Sequence, residues 1–153
     1  MDTQNVFFPD PSDIVCFNIE DLPAIKTAAE KSNLKRARYC LHASHDDGVQ
    51  EMVLVLIKDT VVPIHRHPNK SESFHIIEGQ LEVALFNDSG DQIDSIKMGP
   101  IGSGLNFIYR INTSAWHTVR VISDMVVIHE TIEGPFNCKM DVLSPQPLVD
   151  VIE

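Results

Sequence analysis

Long apolar runs are missing from this chain. The longest strictly apolar stretch in its 153 residues is Met52–Ile57, far short of the roughly 20 residues a helix needs to span a bilayer. Cysteine is scarce: Cys16, Cys40 and Cys138 are widely spaced, odd in number and form no CxxC pair. That argues against a disulfide framework and for reduced, buried or half-buried thiols in a cytoplasmic protein. The N-terminal stretch MDTQNVFFPDPSD has neither a basic n-region nor an apolar h-region, so no secretory signal is read there. Basic charge is also short, with 12 Lys and Arg against 22 Asp and Glu and a formal net charge of −10. Neither a nucleic-acid partner nor an anionic membrane surface fits that balance, because phosphate binding needs clustered Lys and Arg. The one basic cluster is Lys31, Lys35, Arg36 and Arg38. It reads first as the solvated end of a helix; the alternative is that one arginine folds back onto an anionic part of a ligand. There is no internal repeat, low-complexity segment or linker, so the chain is read as one domain.

What is present is mostly strand. Residues 21–33, DLPAIKTAAEKSN, predict the one convincing helix, with Asp21 as N-cap and Pro23 early in the first turn. The alternation over residues 14–19 suggests a short strand before it. Strand signals then follow at Glu51–Ile57, Val61–His67, Ser73–Glu78, Leu81–Phe86, Gln92–Met98, Leu105–Ile111, Trp116–Ile122 and Met125–Thr131. Turn signals separate them, notably residues 87–90 (NDSG) and 99–104 (GPIGSG). Many short strands without intervening helices indicate an antiparallel sandwich or barrel. Residues 1–35 form an N-terminal extension of strand plus helix, packed on a barrel of residues 36–153.

The segment 65-HRHPNKSESFHIIEG-79 concentrates polar groups beside a strand. Strand alternation puts His65 and His67 on one face, about 6–7 Å apart along the chain, where both imidazoles can converge on one ion. The turn at residues 68–71 can return Glu72 toward them, and Gly79 sits where the chain must bend into the next strand. His117 opens a later strand, directly after the turn at residues 112–115. Three imidazoles and one carboxylate suit a divalent transition metal (Zn, Fe, Mn, Ni or Co), one per chain, with open coordination positions. The set is too rich in nitrogen for calcium or magnesium.

The pattern HxHx4Ex6G, filled by His65, His67, Glu72 and Gly79, resembles the first motif of the cupin superfamily. His117 falls where the second cupin motif ends, although Asn112–Ser114 replaces that motif's PxG turn and Val121 stands where an asparagine is sometimes found. The order Arg36, Arg38, Leu41-His42, Asp46-Asp47, Gln50, Pro63–Phe74, Phe86–Gly90, Trp116–Thr118 and Glu130–Phe136 is similar to the small bacterial WbuC-type cupin metalloproteins, from about residue 34 to about 145. This resemblance implies an all-β fold, a double-stranded β-helix (jelly-roll-like) barrel with one metal per subunit, and an association with surface-polysaccharide biosynthesis.

Other residues divide by parity. His75 falls opposite Glu72 and reads as a core or surface histidine. His129, on a strand with Met125 and Val127, is a candidate inward group, whereas Glu130 points the other way unless a bulge intervenes. With Tyr109 these two are the candidate general bases. His42, Arg38 and Lys70 are candidate pocket residues, and His45 reads as a surface residue. The functional expectation is a metal-dependent enzyme, an isomerase or epimerase of a sugar or sugar-derived compound. The alternatives are an Fe(II) dioxygenase and a non-catalytic small-molecule-binding or sensory cupin. The apolar segments Val6–Phe8 and Ile14–Phe17 need cover, which suggests a homodimer.

Overall fold

A computed structural model of the protein describes residues 5–10, 12–112, 114–137 and 142–143. The elements in chain order are β1 (Val6–Phe7), α1 (Leu22–Lys31), β2 (Arg36–Cys40), β3 (Val49–Ile57), β4 (Glu72–Glu78), β5 (Leu81–Phe86), β6 (Gln92–Met98), β7 (Ile108–Ile111), β8 (Trp116–Val121) and β9 (Met125–Glu133). Two sheets face each other. One has the order β1-β2-β3-β9-β4-β7 and the other β6-β5-β8. All pairings are antiparallel except β1 with β2. This is the cupin β-barrel fold, with a short N-terminal strand and helix attached. Among the described residues no helix is long and apolar enough to cross a membrane.

Two apolar clusters hold the fold. The first lies between the sheets and includes Leu56, Phe74, Ile76, Leu81, Val83, Met98, Val119, Val126 and Ile128. The second lies outside the larger sheet, where Leu22, Ile25, Ala28 and Ala29 of α1 cover Ala37, Val53, Val55 and Val127. The central strands of that sheet are therefore buried on both faces, and this is why Met52–Ile57 is apolar without alternation. The outer cover is close, since Ala29 and Val55 are fully buried; small side chains at Ala28 and Ala29 let the helix approach the sheet.

Several elements depart from the sequence expectation. Helix α1 begins at Leu22, but Asp21 is itself helical and makes no side-chain cap; its carboxylate accepts a hydrogen bond from the Asn18 amide at 2.8 Å instead. The segment 14–19 forms no strand, having no neighbouring edge to pair with; Ile14 and Ile19 are largely exposed. The N-terminal strand is Val6–Phe7, which adds to β2. Residues 61–67 are extended but pair only through isolated bridges at His65 and Arg66. Arg36 and Arg38 belong to β2 rather than to the end of a helix. Cys16 is exposed and Cys40 buried; Cys138, and Thr113 of the turn expected at residues 112–115, lie outside the described residues.

Gly79 connects β4 to β5, and thus one sheet to the other. Its φ of 76° lies in the left-handed region, and a Cβ there would stand 2.1 Å from the Met125 carbonyl oxygen. Backbone, not a mobile side chain, fills that space. Gly79→Ala is expected to lower unfolding free energy by about 2 kcal/mol or more, from strain plus displacement of β9. Urea denaturation measures it, and an unchanged midpoint would contradict the close approach.

Candidate metal centre

The centre is assembled from three places in the chain. His65 and His117 face each other across an isolated antiparallel bridge, with His65 N donating to His117 O at 3.0 Å and His117 N to His65 O at 2.9 Å. Opposed residues of such a pair project to one side, and their ring centroids are 4.4 Å apart. His67 follows two residues after His65, with its centroid 4.9 Å from that of His65. Glu72, the first residue of β4, enters from the larger sheet, paired with Ile111 on one side and Ile132 on the other. One ligating atom from each of His65, His67, Glu72 and His117 lies within 4.8 Å of the others.

Hydrogen bonds prepare these groups for a cation. His65 Nδ1 is 2.8 Å from the Pro63 carbonyl and His117 Nδ1 is 2.9 Å from the Ala115 carbonyl. A carbonyl only accepts, so both Nδ1 atoms carry hydrogen and both Nε2 atoms are left to face the cluster. His117 Nε2 is buried and has no hydrogen-bond partner among the described residues, an arrangement that is costly unless a further group meets it. Glu72 is only 3% exposed. Its Oε2 lies 2.7 Å from His67 Nε2 and 3.8 Å from His117 Nε2, and its Oε1 accepts from the Tyr109 hydroxyl at 3.3 Å. Burial alone would raise the Glu72 carboxyl, but the nearby His117 and His67 outweigh it and hold Glu72 below the usual carboxylate range. Burial, with His117 beside it, depresses His65 to about 4, so its imidazole is neutral at neutral pH. The Glu72 carboxylate and the neutral His65 imidazole are the forms a metal needs, and the donor set fits a first-row transition ion.

The cluster lines one wall of a cavity of about 680 Å³ between the sheets. Alternation along β2, β3 and β9 supplies the rest of the wall: Arg36, Arg38 and Cys40; Gln50, Met52 and Leu54; Ile128, Glu130 and Ile132. At the mouth, Phe8 makes edge contacts with His42 and His45, and His45 also meets Phe136. His42 and His45 both line the cavity. Gln50 is almost fully buried and donates from Nε2 to the Ser44 and Asp47 carbonyls. It thereby ties the loop that carries His45 to β3.

Two sequence expectations on β9 are reversed. Glu130 points into the cavity and His129 does not; His129 Nε2 bonds Glu51 Oε1 at 2.8 Å on the outer face. Register explains it, since His129 pairs with Val53, which faces α1, whereas Glu130 pairs with Met52 and Phe74, which face inward. Tyr109 points inward, and Arg110 outward to Ser71 and Asn112. Arg38 and His42 line the cavity, but Lys70 does not; its ammonium donates to the Pro135 carbonyl. His75 is outward and meets Phe107 edge-on. Arg36 is the cavity residue that sequence reasoning assigned elsewhere; the alternation in Arg36–Cys40, reading R-A-R-Y-C, is the signal that marks it.

Burial, then the charge of Glu72, push the Glu130 carboxyl from 4.5 up to about 8. A raised carboxyl favours folding below its unfolded value and costs stability as pH rises through the folded one. Chelated wild-type protein is therefore expected to lose thermal stability between about pH 5 and pH 9, and Glu130→Gln to lack that part of the slope. Parallel curves for the two proteins would remove Glu130 from the buried, neutral state.

Comparisons place this geometry among known folds. CapF, solved with the inhibitor 3-isopropenyl-tropolone, is similar at a TM-score of 0.53 and 17% identity, over 71% of this chain and 30% of its own. The Shewanella oneidensis protein SO0799 is similar at 0.53 and 11% identity, over 65% of this chain and 63% of its own. Bacillus subtilis oxalate decarboxylase, a protein with Mn(II) centres, is similar at 0.50 and 16% identity, over 64% of this chain and 24% of its own. This chain thus spans less than two thirds of each of these neighbours. No curated protein matches the sequence. A match to the family described as Domain of unknown function (DUF6016) runs over residues 17–98. That match takes in more than half of the chain, including α1, the first three ligands of the cluster and Gly79, and the protein belongs to the DUF6016 family.

Proposed function

We propose that the protein is a metal-dependent small-molecule enzyme of the WbuC type, holding one divalent transition metal through His65, His67, Glu72 and His117. The observation that carries this reading is the convergence of four ligand atoms within 4.8 Å, with His117 Nε2 buried and without a hydrogen-bond partner among the described residues. A divalent ion held there supplies Lewis acidity toward a carbonyl or hydroxy-carbonyl oxygen of the substrate. The chain's own groups do the rest. The apolar cavity wall excludes water. Tyr109 anchors Glu72. Glu130, raised to about 8, lies on the cavity face, where its carboxylate form can take a proton from a carbon beside the carbonyl and the acid so formed can return it. These roles favour isomerisation or epimerisation of a sugar or sugar-derived compound, in keeping with a place in surface-polysaccharide synthesis. The exposed Ile14 and Ile19 of the N-terminal segment favour a homodimer that covers them.

Protein purified without an affinity tag is expected to carry about one transition metal per chain by elemental analysis, and His117→Ala to fall to a small fraction of it with its circular dichroism preserved. Less than about 0.1 metal per chain, with no uptake of Fe, Zn, Mn, Ni or Co, would refute the site. For the reaction, deuterium from D2O is expected to enter a responsive sugar at the carbon beside its carbonyl. Glu130→Gln should stop that exchange while metal content stays unchanged. Saturable sugar binding without exchange would favour the non-catalytic reading instead.

A further inference from the structure

Strand β2 carries two cations into a mostly apolar cavity. Alternation sends Arg36 and Arg38 inward and Ala37 and Tyr39 toward α1. The arginines outside the cavity have partners: Arg110 bonds Ser71 and Asn112, Arg120 bonds Glu82 and Gln92, and Arg66 stacks on Trp116. Among the described residues, neither Arg36 nor Arg38 has a carboxylate within ion-pair distance or a side-chain hydrogen bond. They repel each other, and Glu130 acts on Arg36 only through its field. Two guanidiniums from alternate positions of one strand, both on the cavity wall and partly out of water, are unfavourable unless an anion meets them.

Charge points the same way. Among the described residues the cavity's carboxyls are Glu72 and Glu130, against Arg36 and Arg38. A divalent ion at the four-ligand cluster leaves the cavity positive whichever way Glu130 is charged. This positive cavity lies inside a chain of net charge −10, whose outer surface disfavours anions. A site of opposite sign to its surroundings selects for the charge it lacks. The guanidinium fork matches two oxygens of a carboxylate or phosphate at once.

We infer that Arg36 and Arg38 form an anion clamp, so that the ligand of this cavity carries a carboxylate or phosphate group gripped by the two guanidiniums, with its other polar end toward His65, His67, Glu72 and His117. This rests on the metal-site reading for the ligand's second end, but not for the clamp itself. A neutral sugar lacks the group the clamp needs, which narrows the substrate class to sugar acids, sugar phosphates or comparably small anions.

The test is calorimetric titration of the purified protein with glucuronate, glucose 6-phosphate, inorganic phosphate and glucose, with metal content measured on the same samples. At least one of the anions is expected to bind, glucose is not, and the responding anion separates carboxylate from phosphate. The Arg36→Gln/Arg38→Gln variant should weaken that binding about tenfold or more with its metal content unchanged. Arg38→Lys, which keeps the charge and loses the fork, should fall between the two and guards against misfolding of the double variant. Metal-loaded protein that binds no anion up to about 10 mM, or binds it equally well in the double variant, overturns the clamp and leaves the metal site standing. Protein without metal whose anion binding still depends on both arginines supports the clamp and overturns the metal site.

Discussion

Between His65 and His117 the backbone exchanges two hydrogen bonds, of 3.0 and 2.9 Å, and the site depends on them. They join the irregular segment before β4 to β8 of the smaller sheet, so the barrel is closed where its polar groups gather. They also set two imidazoles side by side on the inner face, with each Nδ1 turned back to the carbonyl two residues before it. Glu72 then comes from the opposite sheet, where the start of β4 is paired on both sides, with β7 and with β9. A cluster anchored by backbone bonds in both sheets is rigid before any ligand arrives, which is what a preorganised ion site requires.

The double burial of the larger sheet is the second constraint. Helix α1 covers its outer face and the cavity occupies its inner one, so each residue of β2, β3 and β9 is assigned a side by the helix. Val53, Val55 and Val127 go to the helix; Met52, Leu54 and Ile128 go to the cavity. Polar residues on the inner register are thereby forced into a mostly apolar space. Arg36, Arg38 and Glu130 are the result; burial first, then Arg38, lowers the Arg36 guanidinium, and burial first, then Glu72, raises the Glu130 carboxyl. An acidic protein thus carries two arginines on the wall of its cavity.

Much of this was legible in the chain. Turn chemistry and alternation marked most strands within a few residues, and two, Leu81–Phe86 and Gln92–Met98, to the residue. The spacing of His65, His67 and Glu72 was enough to bring them to one place, because two ligands share a strand face and the third follows one turn later. His117 needed more, since only the bridge to His65 brings it there. The strand expected at residues 14–19 failed because alternation describes a strand but does not supply an edge to pair with.

Sequence by itself determined the local periods: which residues share a face, where the chain turns, and that one helix precedes a series of short strands. Tertiary structure alone decided which face is inside. His129 and Glu130 make the difference plain, since alternation separates them with certainty yet is symmetric under exchange of the two faces. Pairing of β9 with β3, and the helix lying over Val53, broke that symmetry and sent the carboxyl inward and the imidazole out. The same choice turned Arg36 and Arg38 from an ordinary basic run into the cationic wall of the cavity. Periodicity is a property of the backbone; interior and exterior exist only once distant strands and a helix have packed.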